Sequence, residues 1–335
     1  MGARCAKRQG PGVTTRGFLL GKFMPPHAGH VALIEAAQAL VDELTVLVCW
    51  LPDDPIAGET RLGWMRALFP ACRVLGHGEV VPQEPDESAE FWPEWRGIVR
   101  TAHPEPIDYV FAGEGYGARL AQELDGRFVP LGGRVLGMAD VLSGISASAV
   151  RADPAAHWAL LPPPVQVHYR RRVCLHGAES TGKSTLAAQL AQRLGAIVVG
   201  EYGRSHCEVH REPLTMADLL LIGRAQQAMI AAAERWAGPI LLGDTDALMT
   251  AAWCEMLLGE RPHELMDAPK ADLYLLLEPD LPWIDDGTRF FADPAEREKF
   301  AAITEQVLRD AGVPFARISG AGEARLASAM AALDA

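Results

Sequence analysis

Lysine is scarce in this chain of 335 residues, with only Lys7, Lys22, Lys183, Lys270 and Lys299 present. The formal net charge is −12, and no single acidic tail produces it. Residues 1–168 carry 19 acidic against 14 basic side chains, a balance of −5, and the rest carries −7. A chain so evenly acidic is a poor general polyanion binder, because nucleic-acid affinity rests on clustered Lys and Arg. No DNA binding is expected. Uninterrupted apolar runs of spanning length are missing too, so no membrane segment is expected. The first apolar run, Phe18 to Leu20, stops at Gly21 and Lys22, too short for a secretory signal. Ala6 stands where a myristoylation signal needs Ser or Thr. The six cysteines (5, 49, 72, 174, 207, 254) are scattered, with neither a CxxC pair nor clustered histidines. That spacing excludes a disulfide framework and a zinc site, and it fits a reduced, cytoplasmic chain.

Apolar residues make up 49% and charged residues 22%, enough for a packed globular core. The length suggests two domains. Strand and helix patterns alternate, which argues for α/β architecture with parallel sheets. Strands are expected at 16–22, 44–51, 73–75 and 109–112, and helices at 29–41 and 60–69. Residues 82–106, rich in Pro and Trp, carry no clear pattern. Pro162, Pro163 and Pro164 stand in a row, and together with the preceding Asp-Pro they read as a Pro-rich linker over 156–170. The domains are therefore 16–155 and 171–335. In the second, strands are expected at 171–176, 197–199, 240–243 and 273–277, and helices at 184–194, 294–310 and 325–333.

The second domain carries GAESTGKS over 177–184, which satisfies GxxxxGK[ST] at every fixed position between an apolar strand and a helix. Gly177 and Gly182 let backbone N–H groups, including those of Ser180 and Thr181, turn toward an ATP phosphate. Lys183 reaches the β- and γ-phosphates, the Ser184 hydroxyl suits Mg²⁺, and Thr185 follows at the helix start. Asp244 and Asp246 end a buried strand, where acids hold Mg²⁺ or accept a substrate proton. Either acid alone also fits a helix N-cap before Ala247. WIDDGTR over 283–289 joins Trp283, Asp285 and Asp286 to Arg289, whose guanidinium would suit a transferring phosphoryl group; an exposed turn is the alternative.

The first domain has GKFMPPHAGH over 21–30, after its first strand and at the start of its first helix. Imidazoles of His27 and His30 at a helix N-terminus can donate to α- and β-phosphates as charge builds on a pyrophosphate leaving group. Further on, ISASAVR over 145–151 supplies Ser146, Ser148 and Arg151 at another expected helix start.

Together GKFxPxHxGH and ISxSxxR resemble the nicotinamide-mononucleotide adenylyltransferase branch of the HxGH nucleotidyltransferases. With GAESTGKST, EYGR at 201–204, GDTD at 243–246 and WIDDGTR, residues 16–318 resemble the bifunctional NadR family. That family joins the adenylyltransferase to a ribosylnicotinamide kinase. The resemblance implies a Rossmann-like parallel sheet followed by a P-loop kinase domain. It implies two ATP-dependent reactions with Mg²⁺: ribosylnicotinamide to nicotinamide mononucleotide, then to NAD with release of pyrophosphate. Gly21, Lys22, Phe23, His27 and His30 would bind ATP and stabilise displacement at its α-phosphorus, with Ser146, Ser148 and Arg151 closing on the phosphates. Trp92 and Trp95 would stack on nicotinamide, with core packing as the equal alternative. In the kinase, Lys183 and Ser184 would hold ATP and Mg²⁺, and Asp244 would be the base, with Tyr202, Arg204 and Asp246 nearby. The family's Asp-Arg pair ahead of ISxSxxR is missing; Met138, Ala139 and Asp140 stand there, with Arg134 upstream. A chain with an active kinase and a nucleotide-sensing first domain is the alternative reading. With so few residues before Arg16, the family's helix-turn-helix repressor domain is not expected. A homo-oligomer is compatible with the sequence.

Overall fold

A computed structural model describes residues 14–113, 115–132, 145–210, 213–283 and 290–334. The chain divides into two compact units, residues 1–168 and 169–335. The first runs β1 (Arg16–Gly21), α1 (Ala28–Leu40), β2 (Glu43–Cys49), α2 (Gly58–Leu68), β3 (Arg73–His77), α3 (Phe91–Ala102), β4 (Tyr109–Ala112), α4 (Tyr116–Glu123), β5 (Arg127–Pro130) and α5 (Ala147–Ala152). All its strands are parallel, in the order β3-β2-β1-β4-β5. Register pairs Phe18 with Thr45 and with Val110.

Successive strand residues point to opposite faces, and both faces are covered, so β1 and β2 read as continuous apolar runs. Leu19, Val46 and Val48 pack with Ile34 and Ala37 of α1 and Met65 of α2. Phe18, Leu47 and Val110 pack on the other face with Phe91, Trp95 and Val99 of α3. The chain winds outward from β1 through β2 to β3, then returns to β4 on the far side of β1. That reversal opens a crevice at the carboxyl ends of β1 and β4, where ligands of such sheets bind.

A short helix, α6 (Pro163–Tyr169), spans the unit boundary. The three prolines thus open a helix within the segment that the sequence marks as a Pro-rich linker. Pro162 supplies the first accepting carbonyl, to Val165 and Gln166 N–H, while Pro163 and Pro164 fall where helical N–H groups have no intrahelical partner.

The second unit runs β6 (Arg171–His176), α7 (Lys183–Leu194), β7 (Ile197–Val199), α8 (Tyr202–His210), α9 (Met216–Ala233), β8 (Ile240–Gly243), α10 (Ala247–Leu258), α11 (His263–Asp267), β9 (Leu273–Leu277), α12 (Pro294–Asp310), β10 (Phe315–Ile318) and α13 (Gly322–Asp334). Its parallel sheet has the order β10-β9-β6-β8-β7, so the chain reverses about β6. Val173, Leu175 and Leu275 meet Leu186 and Leu190 of α7 on one face. Cys174, Tyr274 and Leu276 meet α10 and α12 on the other. Among the described residues no helix is long and apolar enough to cross a membrane.

Candidate active sites

In the first unit a cleft of about 870 Å³ opens at the carboxyl ends of β1 and β4. His27 is the N-cap of α1, and a reciprocal capping box ties it to His30. Gly29 N–H donates to His27 Nδ1 at 3.2 Å, and His27 N–H donates to His30 Nδ1 at 3.3 Å. A ring nitrogen that accepts cannot carry the proton, so each neutral imidazole holds its proton on Nε2. Burial lowers the pKa of His27 to about 4. Burial, with His27 alongside, lowers that of His30 to about 3. At neutral pH the rings, 3.9 Å apart, are thus two fixed Nε2–H donors at a helix N-terminus. Arg151 of α5 reaches across to the Met24 carbonyl and donates to Ser148 Oγ at 3.1 Å. Beneath the loop lies Arg61, wholly buried, which donates to the Lys22 carbonyl at 2.7 Å and pairs with Asp54 at 2.6 Å.

In the second unit a cleft of about 530 Å³ surrounds the loop between β6 and α7. Gly177 has φ +136°, and a Cβ there would stand 2.8 Å from the Leu277 carbonyl, so only glycine fits. Ser180 and Gly182 also take left-handed conformations, and Gly182 caps α7. Lys183 Nζ folds onto the loop's own carbonyls, Gly177 O at 2.9 Å and Ala178 O at 3.0 Å. Asp244, at the end of β8, is 4% exposed and its Oδ1 has no hydrogen-bond partner. A buried carboxylate oxygen left without a partner is costly, so it is poised for a cation or a donating hydroxyl. Ser184 lines the same cleft. Among the described residues no three His, Cys, Asp or Glu side chains are grouped to hold a metal. Mg²⁺ fits nonetheless, since it needs only one or two protein oxygens when phosphates and water complete its shell.

A family model described as an AAA domain matches residues 172–325. The trifunctional NAD biosynthesis/regulator protein NadR of Escherichia coli strain K12 is 28% identical over 91% of this chain and 78% of its own length. Its counterpart from Salmonella typhimurium is 27% identical over 91% and 79%. The nicotinamide-nucleotide adenylyltransferase of Pyrobaculum neutrophilum is 35% identical over 32% of this chain and 62% of its own length. A crystal structure of a NadR protein in complex with NR superposes with a TM-score of 0.71 at 21% identity, covering 96% of this chain and 95% of that one. The chain is homologous to NadR. That homology, and the one to the adenylyltransferase, make it a transferase. A second NadR structure, in complex with NAD and AMP-PNP, shares the fold with a TM-score of 0.70 at 20% identity.

Most residues singled out from sequence gather in the two clefts of this NadR homologue. Gly21, Lys22, His27, His30, Trp92, Ser146, Ser148 and Arg151 line the first. Ser180, Thr181, Gly182, Lys183, Ser184, Thr185, Arg204 and Asp244 line the second. Asp246 and Tyr202 need correction. Asp246 is not in the second cleft: it is the buried N-cap of α10, with Oδ1 accepting from Leu248 and Met249 N–H and Oδ2 from the Tyr274 hydroxyl. Tyr202 is outside that lining too, its N–H donating to Gln226 and its ring lying against His206. Phe23 and Trp95 border the first cleft but are packed into the core, Trp95 donating to the Pro82 carbonyl at 3.0 Å. Ser146, in the first cleft, accepts from Ala149 N–H at 3.1 Å as the N-cap of α5 and retains its O–H as a donor. Asp285, Asp286, Arg289, Arg134 and Asp140 lie outside the described residues.

Two cleft residues escaped the sequence reading. Glu179, at a variable position of the phosphate loop, accepts from Phe290 N–H at 3.0 Å, Phe291 N–H at 2.6 Å and Trp283 Nε1 at 3.3 Å. The loop pattern constrains none of its middle residues, so no signal marked it. Trp253 lines the same cleft, held by Phe290, Phe291 and Phe300 with ring centroids 4.4 to 5.8 Å away. It stands on a helix that is apolar nearly all round, where an aromatic reads as core.

Proposed function

We propose that this chain makes NAD from ribosylnicotinamide in two ATP-dependent steps, one per unit, in the cytoplasm. The observation that carries the reading is that each unit holds its own phosphate-binding loop at the carboxyl edge of its own parallel sheet. In the second unit, Lys183 leaves its loop carbonyls for the ATP phosphates, and Ser184 with Asp244 would hold Mg²⁺, which would neutralise phosphate charge. Asp244 Oδ1 accepts the proton of the ribosylnicotinamide 5′-hydroxyl as its oxygen bonds to the γ-phosphorus and ADP departs. The pyridinium ring of ribosylnicotinamide is cationic, and the face of Trp253 suits it by cation–π attraction.

In the first unit the attacking group is the 5′-phosphate of nicotinamide mononucleotide. It is largely ionised at neutral pH, so it needs no base. As its oxygen bonds to the α-phosphorus of ATP, charge moves onto departing pyrophosphate, and the Nε2–H groups of His27 and His30 donate to it together with Lys22 and Arg151. Trp92, with the Arg119 guanidinium 5.8 Å from its ring centre, also lines this cleft and would stack on nicotinamide.

The test supplies purified protein with Mg-ATP and either ribosylnicotinamide or its mononucleotide, following products by chromatography. The mononucleotide with ADP, and NAD with pyrophosphate, are the expected products. Asp244→Asn should lower the first rate by about 10²- to 10⁴-fold and leave the second unchanged. Absence of turnover with both substrates would overturn the enzyme reading.

A further inference from the structure

The phosphate loop of the second unit holds three main-chain carbonyls in defined contacts, and their partners differ in origin. Those of Gly177 and Ala178 face the loop's own Lys183. That of Thr181 faces a residue from the far end of the chain, Arg325 of α13. Arg325 is 4% exposed, and its guanidinium has every arm engaged. Nε donates to the Gly320 carbonyl at 2.6 Å, Nη2 to the Glu278 carbonyl at 3.3 Å and to the Asp280 carboxylate, and Nη1 to the Thr181 carbonyl. Burying a guanidinium merely to dock a helix would be poor economy, since apolar packing does that at least as well. A planar fork with fixed directions does something apolar packing cannot: it fixes the orientation of a peptide group.

We propose that Arg325 is a positioning residue for phosphate binding in the second unit, resting on the kinase reading above. In a trans peptide the C=O and N–H point opposite ways. Holding the Thr181 carbonyl on the buried guanidinium therefore turns the Gly182 N–H away from it, into the cradle. Thr181 is itself anchored, because its buried hydroxyl donates to the Ala178 carbonyl at 2.8 Å. Gly182 is also tightly placed, with φ +83° and a Cβ position 3.1 Å from Leu281 and 4.0 Å from Arg325 Nη1. Without the guanidinium the peptide is free to flip, and an N–H donor turned toward phosphate is replaced by a repelling carbonyl.

Arg325→Lys keeps a cation beside Asp280 but lacks the fork, so it is the decisive variant. In phosphorylation of ribosylnicotinamide its KM for ATP should rise at least 10-fold, while KM for ribosylnicotinamide stays within twofold. The KM for ATP in adenylyl transfer should be unchanged. An ATP KM within twofold of the parent, or a parallel rise in both substrate KM values, overturns the proposal. Should Arg325→Lys fail to fold, Asp280→Asn, which loosens the guanidinium without removing it, should raise the ATP KM alone by at least threefold; no rise overturns the proposal. If the parent chain does not phosphorylate ribosylnicotinamide, the kinase reading falls. Titration with MgADP then decides Arg325: the variant must lose the same binding phase that Lys183→Ala loses, and retention of that phase overturns the assignment.

Discussion

Single side chains here take protonation states that burial and their backbone neighbours impose. His27 and His30 stay neutral with the proton on Nε2 because main-chain N–H groups occupy both Nδ1 atoms and burial opposes charging. His176, the buried last residue of β6 with one ring nitrogen against the Thr304 carbonyl, is likewise held neutral, its pKa lowered to about 3 by burial. A stability dependence on pH follows. An unfolded histidine titrates near 6.5, whereas these three titrate at about 3 to 4 when folded. Between those values the unfolded chain binds more protons, so folding stability rises with pH in that window. The contribution is fully present above about pH 6.5 and is lost progressively as pH falls toward about 3. Urea midpoints should therefore drop between pH 7.5 and pH 5, before carboxylates titrate in bulk. Equal midpoints at the two values would contradict the buried, neutral assignment. Replacing His27 by Gln should reduce the drop.

At the scale of elements, the strands and the motif-bearing turns were legible from sequence, and most helices between them were not. Strands β1, β2, β6, β8 and β9 are buried on both faces, and short unbroken apolar runs mark them. Helix α10 hides the opposite way: seven of its twelve residues are buried, so it has no polar stripe to betray a 3.6-residue period. The edge strands β5 and β10 are four residues long, too brief to alternate visibly. Asp246 belongs to this scale. Its position after a strand suggested chemistry, but its burial and its three hydrogen bonds make it the bolt that starts α10 and fixes Tyr274 of β9. Asp246→Ala strips an N-cap and leaves a buried tyrosine hydroxyl without its acceptor. Both losses are destabilising, together by about 2 kcal/mol or more. Thermal unfolding of the second unit should move accordingly, with adenylyl transfer at low temperature preserved. A neutral substitution would return Asp246 to the list of candidate substrate ligands.

For the whole molecule, an acidic chain with few lysines keeps cations local to its two clefts. Lys22 and Lys183 lie in the two phosphate loops, and Arg61 and Arg325, each buried, hold a carbonyl of the loop in their own unit. Each unit also has its own core on both faces of its own sheet, and its own residues line its cleft. Independent sites make a specific kinetic prediction. Lys183→Ala should abolish phosphorylation of ribosylnicotinamide yet still make NAD from the mononucleotide, and His30→Ala should do the reverse. Given ribosylnicotinamide and Mg-ATP, neither variant alone yields NAD. An equimolar mixture should yield it, because the mononucleotide released by the His30→Ala chain diffuses to the intact first unit of the Lys183→Ala chain. NAD should appear after a lag while mononucleotide accumulates, with ADP formed first and pyrophosphate second. A mixture that accumulates mononucleotide but makes no NAD would mean that the first unit draws its substrate only from its own chain. A mixture that makes no mononucleotide at all would mean that His30 serves both reactions, and the assignment of one site to each unit would be withdrawn.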